Sequence, residues 1–240
     1  MPHLFPALAD PRALPRRVVV LAPHPDDEIL GCGGMLAFHA ERGDDPLVVF
    51  LSDGAAGDPT GQARDLAAVR RGEAAKALAE LGVRRAEHWH FPDGRLEECH
   101  ELSGRILGLI EHERAELVYA PSLLECHTDH IAAAEAATLA LAAVPHVRVH
   151  LYGVNTAVPA NVLFDVSRFR ARKDAAFERY ASQMAVMDLR RASRAMDAAR
   201  TVNIPDATIT DCEGYAALTA AELRDHAARF RALRELLYPQ

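Results

Sequence analysis

Residues 17–28 read RVVVLAPHPDDE, an apolar run that ends in a histidine and three consecutive carboxylates. Residues 117–130, LVYAPSLLECHTDH, repeat this arrangement. Each apolar run has the length of a buried strand, and each polar cluster precedes an apolar, Ala-rich run of helical length. Histidines and carboxylates therefore gather where two strands end and two helices begin. In an open parallel sheet, ligands bind at this edge.

Strand-like and helix-like segments alternate up to about residue 155. Strands are predicted at residues 17–22, 47–51, 88–91, 117–120 and 147–152, and helices at residues 28–42, 63–81, 99–112 and 129–143. This order predicts an α/β, Rossmann-like three-layer fold in which a mostly parallel sheet lies between two layers of helices. Gly31, Gly33 and Gly34 follow the first polar cluster, and we expect them to allow close packing of the first helix.

The pattern loosens in the last third of the chain. We predict a strand at residues 162–166 and helices at residues 168–183, 188–199 and 219–237. We expect a single domain over residues 1–240, with an irregular lead-in at 1–15 and a C-terminal elaboration near the site at about 155–240. The loop at residues 55–61 is rich in Gly, Asp and Pro, and we expect it to select the substrate together with the elaboration.

The composition argues against several classes of protein. A net charge of −7 gives no indication of the basic face that nucleic-acid binding requires. No apolar run approaches the roughly 20 residues of a membrane span. The four cysteines form no CxxC pair, which indicates a reducing compartment. We therefore expect a cytoplasmic protein whose partner is a small molecule, and a homo-oligomer is compatible with the sequence.

The two polar clusters have the residue types of a metal site. Each carboxylate could simply cap a helix, and each histidine could be a hydrogen-bonded core residue. Their joint occurrence at two strand ends favours a divalent metal instead. Two histidines and one carboxylate with open water is a catalytic zinc arrangement, and the same set can hold iron(II). Asp26 and Asp27 are adjacent at a turn, so one can bind metal while the other faces a substrate.

The chain resembles the LmbE/PIG-L family of zinc-dependent N-acetylglucosaminyl deacetylases. Residues 23–34, PHPDDEILGCGG, are similar to the first signature of that family. Supporting pieces follow in order: LSDG at 51–54, Arg70 with Glu73, FPDG at 91–94, Asp165, Lys173, and YASQ at 180–183. The second signature is usually H-P-D-H and reads HTDH at 127–130 here. Thr128, in place of proline, can cap the helix, so we expect the metal site to be retained.

The resemblance implies a role for each matching position. One zinc ion per chain, with Fe²⁺ as the alternative, would be bound by His24, Asp27 and His130. Asp26 would be the general base, and His127, oriented and kept charged by Asp129, would stabilise the oxyanion with the zinc. Asp26 or His127 would protonate the leaving amine. The substrate-contacting residues would be Arg70 and Asp93.

The implied reaction is removal of acetyl from an N-acetylated amino sugar or glycoside. Three alternatives stay open at this point. The bond could be another amide, such as that of a thiol conjugate, or a phosphoester, although phosphoesterases usually use two metals. A non-catalytic binding module with a structural metal is the third, although structural zinc sites are usually closed and rich in thiolates.

Overall fold

The computed structural model describes residues 6–57 and 65–239. These residues form eight strands, which are β1 (Ala7–Leu8), β2 (Val18–Ala22), β3 (Leu47–Ser52), β4 (Arg85–Phe91), β5 (Leu117–Pro121), β6 (Arg148–Tyr152), β7 (Val162–Asp165) and β8 (Cys212–Thr219). They also form eight α-helices, which are α1 (Asp27–Arg42), α2 (Leu66–Leu81), α3 (Leu102–His112), α4 (Thr128–Leu141), α5 (Arg170–Phe177), α6 (Ala181–Met184), α7 (Leu189–Ala199) and α8 (Ala220–Leu237). Parts of three predicted segments lie outside the described residues: 1–5 of the lead-in, 58–61 of the loop, and 63–64 of the second helix.

The described strands make one mostly parallel sheet, which confirms the predicted α/β class. Their order is β1-β7-β8-β6-β5-β2-β3-β4. Neighbouring strands are parallel except that β8 runs antiparallel to both β6 and β7. The chain leaves β2 toward β3 and β4 and then returns to β5 on the other side of β2. Such a switch point opens a crevice at the carboxyl ends of the strands, and β2 and β5 are the strands that precede the two polar clusters.

Helices cover both faces of the sheet because the central strands are apolar on both sides. Val19 and Leu21 of β2 belong to the core beneath α3, α4 and α8. Val18, Val20 and Ala22 belong to the core on the opposite face, with α1, α2 and α5. No helix in the described part of the chain is both long and apolar enough to cross a membrane.

Helix α1 bends one turn after it begins, and a buried charge pair stabilises the bend. Cys32 has non-helical angles (φ −151°, ψ 27°). Beyond it, the N–H groups of Gly34 and Met35 donate to the carboxylate of Glu213 at 2.7 and 2.9 Å. The buried Nζ of Lys173 donates to the same carboxylate at 2.7 Å. Glu213 thus serves as the N-terminal cap of the second half of α1.

The C-terminal region differs most from the sequence prediction. Strand β8 was missed because Glu213 and Gly214 interrupt its apolar pattern, and Glu213 is tolerated in the core only through its bonded partners. Strand β1 pairs with β7 inside the lead-in that was expected to be irregular. The predicted helix at 168–183 is two helices, α5 and α6. The residues after 155 therefore extend the central sheet through β7 and β8 as well as covering it.

The glycines of α1 have the close packing that the sequence predicts. A Cβ atom on Gly31 would lie 2.2 Å from Cδ2 of Tyr152. The Tyr152 ring is buried, and its hydroxyl donates to the carbonyl oxygen of Leu21 at 2.7 Å. The ring therefore has little room to yield.

Gly31→Ala should lower the free energy of unfolding by about 2 kcal/mol, because overpacking a dense core has a cost of this size. Gly108→Ala in α3 is the control, since within 4 Å of the position of its Cβ the described residues place no atom apart from those of its chain neighbours and of its own helix backbone. The control should be neutral or gain up to about 1 kcal/mol. Urea denaturation measures both variants, and equal stabilities would contradict the close approach of Tyr152.

Candidate active site

Three potential metal ligands converge at the switch point. His24 Nδ1, at the end of β2, lies 3.2 Å from Asp27 Oδ2 at the start of α1. His130 Nε2, in the first turn of α4, lies 3.2 Å from each of these two atoms. Ligand atoms bound tetrahedrally to zinc at about 2.0–2.1 Å are about 3.3 Å apart. The triangle therefore has nearly the size of one face of a zinc tetrahedron, and its donors suit zinc or iron(II).

A carboxylate lies behind each imidazole of the triangle. His24 Nε2 is 3.0 Å from Asp93 Oδ1 and 3.1 Å from Asp129 Oδ2. His130 Nδ1 is 3.2 Å from Glu125 Oε2, which is fully buried. A carboxylate that accepts one ring N–H fixes the ring and leaves its other nitrogen free to bind a metal. Both rings are thereby oriented with an acceptor nitrogen toward the triangle.

The electrostatics of the triangle favour a positive charge. Burial opposes protonation of His24, but hydrogen bonds to carboxylates, first of all Asp129, raise its pKa well above the usual range. Burial also opposes protonation of His130, yet Asp27 raises its pKa to about 9. Burial opposes ionisation of Asp27, and the two imidazoles nevertheless lower its pKa well below the usual range. A bound cation would compete with these protons for the same charge.

Asp26 lies beside the triangle in a strained backbone conformation (φ 119°, ψ −26°). Its N–H donates to Glu28 Oε2 at 2.9 Å, and Glu28 Oε1 accepts the hydroxyl of Tyr180 at 2.7 Å. The guanidinium of Arg70 donates to the carbonyl of Pro25 and to Asp26 Oδ2, the latter at 3.2 Å. Burial, partly opposed by Arg70, raises the pKa of Asp26 to about 7. A general base is most effective in this range at neutral pH.

His127 lies at the exposed rim, with its ring centroid 5.0 Å from the rings of both His24 and His130. The residue that caps α4 is His127 and not Thr128, which is the first residue of the helix. Its extended backbone (φ −81°, ψ 133°) lets Nδ1 accept the N–H of Asp129 at 3.2 Å. This bond assigns the ring proton to Nε2. Burial and the neighbouring imidazoles lower the pKa of His127, which favours its neutral form.

The carboxylate of Asp129 is bonded to a different ring from the one that the resemblance implies. Besides facing His24, it accepts the N–H groups of Gly94 and Leu96 at 2.7 and 3.0 Å. No hydrogen bond within the described residues joins it to the side chain of His127. Asp129 therefore links the first histidine to the turn that follows β4.

Seven of the eight predicted site residues line one cavity of about 350 Å³, and Asp129 lies behind its wall. Arg70 is buried, and it also donates to the carbonyl of Gly54 at 3.1 Å. Asp93 Oδ2 accepts the N–H of Ala56 at 2.9 Å. Both side chains thus hold backbone groups at the cavity in place. Contact of Arg70 or Asp93 with a substrate stays a prediction.

Sequence reasoning missed three residues of the site. Glu125 had a signal, since it is an acidic residue two positions before His127. Tyr180 lies in the YASQ segment at 180–183, for which the family resemblance implies no role. Asn155, in the loop after β6, had no signal, and its amide lies 3.2 Å from Glu125 Oε2 and 3.4 Å from His130 Nδ1.

Known proteins share this sequence pattern and fold. The PIG-L family, described as GlcNAc-PI de-N-acetylase, matches residues 19–141, which include all eight predicted site residues. A diacetylchitobiose deacetylase of Thermococcus kodakarensis is 34% identical over 121 residues, which span 48% of this chain and only 45% of that protein. A probable N-acetyl-alpha-D-glucosaminyl L-malate deacetylase 2 of Bacillus anthracis is 31% identical over 198 residues, or 73% of this chain and 86% of that protein.

A solved structure has a fold similar to that of this chain. The N,N'-diacetylchitobiose deacetylase from Pyrococcus horikoshii superposes with a TM-score of 0.79 over 89% of this chain and 88% of its own. The two sequences are 20% identical, so this comparison supports the architecture alone.

The strain at Asp26 can be measured with two variants that both lack its carboxylate. Asp26→Gly should be more stable than Asp26→Ala by about 1 kcal/mol, because only glycine adopts a positive φ without steric cost. Asp225 is an exposed position inside α8. There the alanine variant should be more stable than the glycine variant, again by about 1 kcal/mol, because glycine is unfavourable inside a helix. Thermal unfolding compares the two pairs, and a more stable alanine at position 26 would show that the backbone is unstrained.

Proposed function

The chain belongs to the PIG-L (GlcNAc-PI de-N-acetylase) family, and we propose that it is a zinc-dependent hydrolase that removes the acetyl group from an N-acetylated amino sugar or glycoside. The two curated relatives described above are both named as deacetylases of acetylated amino sugars. The proposed site is the cavity at the carboxyl ends of β2 and β5. Its volume is within the range of small-molecule sites.

The triangle of His24, Asp27 and His130 is the observation that carries this proposal. These three residues would bind the zinc and leave its remaining position open toward the cavity. When bound, zinc supplies a Lewis acid that polarises the amide carbonyl and lowers the pKa of water. The carboxylates behind the two imidazoles hold the rings in place for this task.

Asp26 and His127 would perform the proton transfer and the charge stabilisation. Asp26, held by Arg70 and Glu28, takes the proton of the attacking water. His127 donates its Nε2–H to the carbonyl oxygen as negative charge develops there. Because His127 Nδ1 is engaged by the backbone, we assign to Asp26 the return of the proton to the leaving amine. Asp93, which also lines the cavity, would contact the sugar.

Acetate release from a panel of N-acetylglucosaminides tests the proposed activity directly. We expect release that stops after treatment with a chelator and returns when one equivalent of zinc is added. Iron(II) added anaerobically in parallel identifies the more effective ion. Release that a chelator leaves unchanged would contradict the proposed metal chemistry, and no release from any N-acetyl sugar would contradict the proposed substrate class.

Three variants separate metal binding from proton transfer. His24→Ala should lose bound zinc. Asp26→Asn should retain one zinc per chain and lower kcat by about 10³, which is within the usual contribution of a general base. His146→Ala, at an exposed position away from the site, should change neither property. Metal analysis and acetate kinetics report the two properties separately, and near-normal turnover by Asp26→Asn would disprove the base assignment.

Glu125→Gln tests the carboxylate behind His130. Its amide keeps an oxygen acceptor but loses the charge, so zinc affinity should fall by about 10- to 100-fold. Glu135→Gln, on the side of α4 that meets α8, is the matched control, since Glu135 pairs with Arg231 rather than with the site. Zinc competition with a fluorescent chelator gives both affinities. Equal affinities would mean that Glu125 has no part in holding the metal ligand.

A further inference from the structure

The peptide unit between Pro25 and Asp26 is held at both of its polar ends. Its carbonyl oxygen accepts a hydrogen bond from the guanidinium of Arg70, and its N–H donates to Glu28 Oε2 at 2.9 Å. A peptide unit is planar, so fixing its oxygen and its N–H fixes its orientation as a whole. Because Asp26 is also the N-cap of α1, its other peptide unit is fixed by the helix. Arg70 and Glu28 thus hold the residue at a φ of 119°.

Glu28 is itself oriented by a residue far away in the sequence. Its side chain is fully buried, and its other oxygen, Oε1, accepts the hydroxyl of Tyr180 at 2.7 Å. The ring of Tyr180 is fully buried as well, in the core on the α1 side of the sheet. Because both side chains are enclosed, water cannot replace this hydrogen bond if the hydroxyl is removed. The position of Glu28 therefore depends on Tyr180.

Tyr180 lies in a segment that is fixed to α2. Two residues after it, the N–H and the hydroxyl of Ser182 donate to the carboxylate of Glu73, at 2.8 and 2.6 Å. Glu73 lies three positions after Arg70 on α2, so the two side chains share one side of that helix. Helix α2 thus supports Asp26 by two routes, directly through Arg70 and indirectly through Tyr180.

We infer that Tyr180 is a positioning residue for the proton transfer: through Glu28, it holds Asp26 in the strained conformation that places the proposed base beside the metal triangle. The inference rests on the proposed function and adds to it a residue from the C-terminal region. Tyr180 is not among the described residues that line the cavity, so it acts on the reaction only through Asp26. A displaced base lowers the rate of the chemical step and leaves substrate binding unchanged.

Tyr180→Phe tests the inference, because it removes the hydroxyl and keeps the buried ring. With the best substrate of the N-acetylglucosaminide panel, this variant should retain one zinc per chain and a KM within twofold of the wild-type value. Its kcat should fall by about 10- to 100-fold, since a displacement on the order of 1 Å has an effect of this size. An unchanged kcat, or a loss that comes from KM or from bound zinc, would overturn the inference.

Tyr215→Phe is the matched control. The Tyr215 hydroxyl is also buried and donates to a buried carboxylate, Glu213 Oε2, at 2.8 Å. That carboxylate caps the second half of α1, beyond the bend and away from Asp26. The control should lose stability for the same reason as Tyr180→Phe but keep kcat within twofold of the wild-type value. Equal losses of kcat in the two variants would indicate a general loosening of the core and would count against a specific role of Tyr180.

Combination with Asp26→Asn shows whether Tyr180 acts through the base. Residues that act as a unit have non-additive effects on turnover. In the variant that lacks the base, Tyr180→Phe should therefore lower kcat by less than a further twofold. A further loss as large as that in the wild-type background would mean that Tyr180 acts independently of Asp26, contrary to the inference.

A stability measurement examines the same inference without turnover. The difference in Tm between Asp26→Gly and Asp26→Ala reports the backbone strain at this position. Adding Tyr180→Phe to both variants should reduce this difference by at least half, because residue 26 is then free to leave the strained conformation. Adding Tyr215→Phe should leave the difference unchanged. If no glycoside releases acetate, the proposed function is refuted, whereas a difference that Tyr180→Phe does not reduce refutes the role of Tyr180.

Discussion

The close approach of two imidazoles and a carboxylate within 3.2 Å is the constraint on which the rest of the site depends. Such a group is stable in a buried position only if each ring is fixed and the charge is balanced. Parallel pairing of β2 with β5 brings the two polar clusters to one edge, with Val19 opposite Val118. Glu125 and Asp129 then fix the rings from behind. The fold thus positions the site through strand register and buried carboxylates.

Asp26 shows how distant parts of the chain support one strained residue. Its backbone conformation would be unfavourable in isolation. Arg70 of α2 and Glu28 of α1 hold it from two sides, and Tyr180, just before α6, holds Glu28. The region after residue 155 therefore contributes to the geometry of the candidate site. Its contribution is indirect, because Tyr180 bonds to Glu28 and not to Asp26 itself.

Much of the fold and the site could be predicted from the sequence because the evidence is local. A run such as residues 18–22 predicts a buried strand by composition alone, and the positions of His24 and His130 after such runs predict a shared edge. Strand β8 could not be predicted, because Glu213 looks like a loop residue until its partner Lys173, 40 positions away, is known. The bond between Asp129 and His24 joins residues 105 positions apart, and the sequence of neither motif indicates it. Long-range polar pairs of this kind escape any analysis of neighbouring residues.

Anomalous diffraction at the zinc absorption edge, on crystals grown with one equivalent of zinc per chain, tests the central claim most directly. The account predicts one strong peak about 2.0–2.1 Å from His24 Nδ1, Asp27 Oδ2 and His130 Nε2. Asp26 should lie near the peak without binding the ion. A peak at any other position, or zinc bound through Asp26 in place of Asp27, would contradict the account.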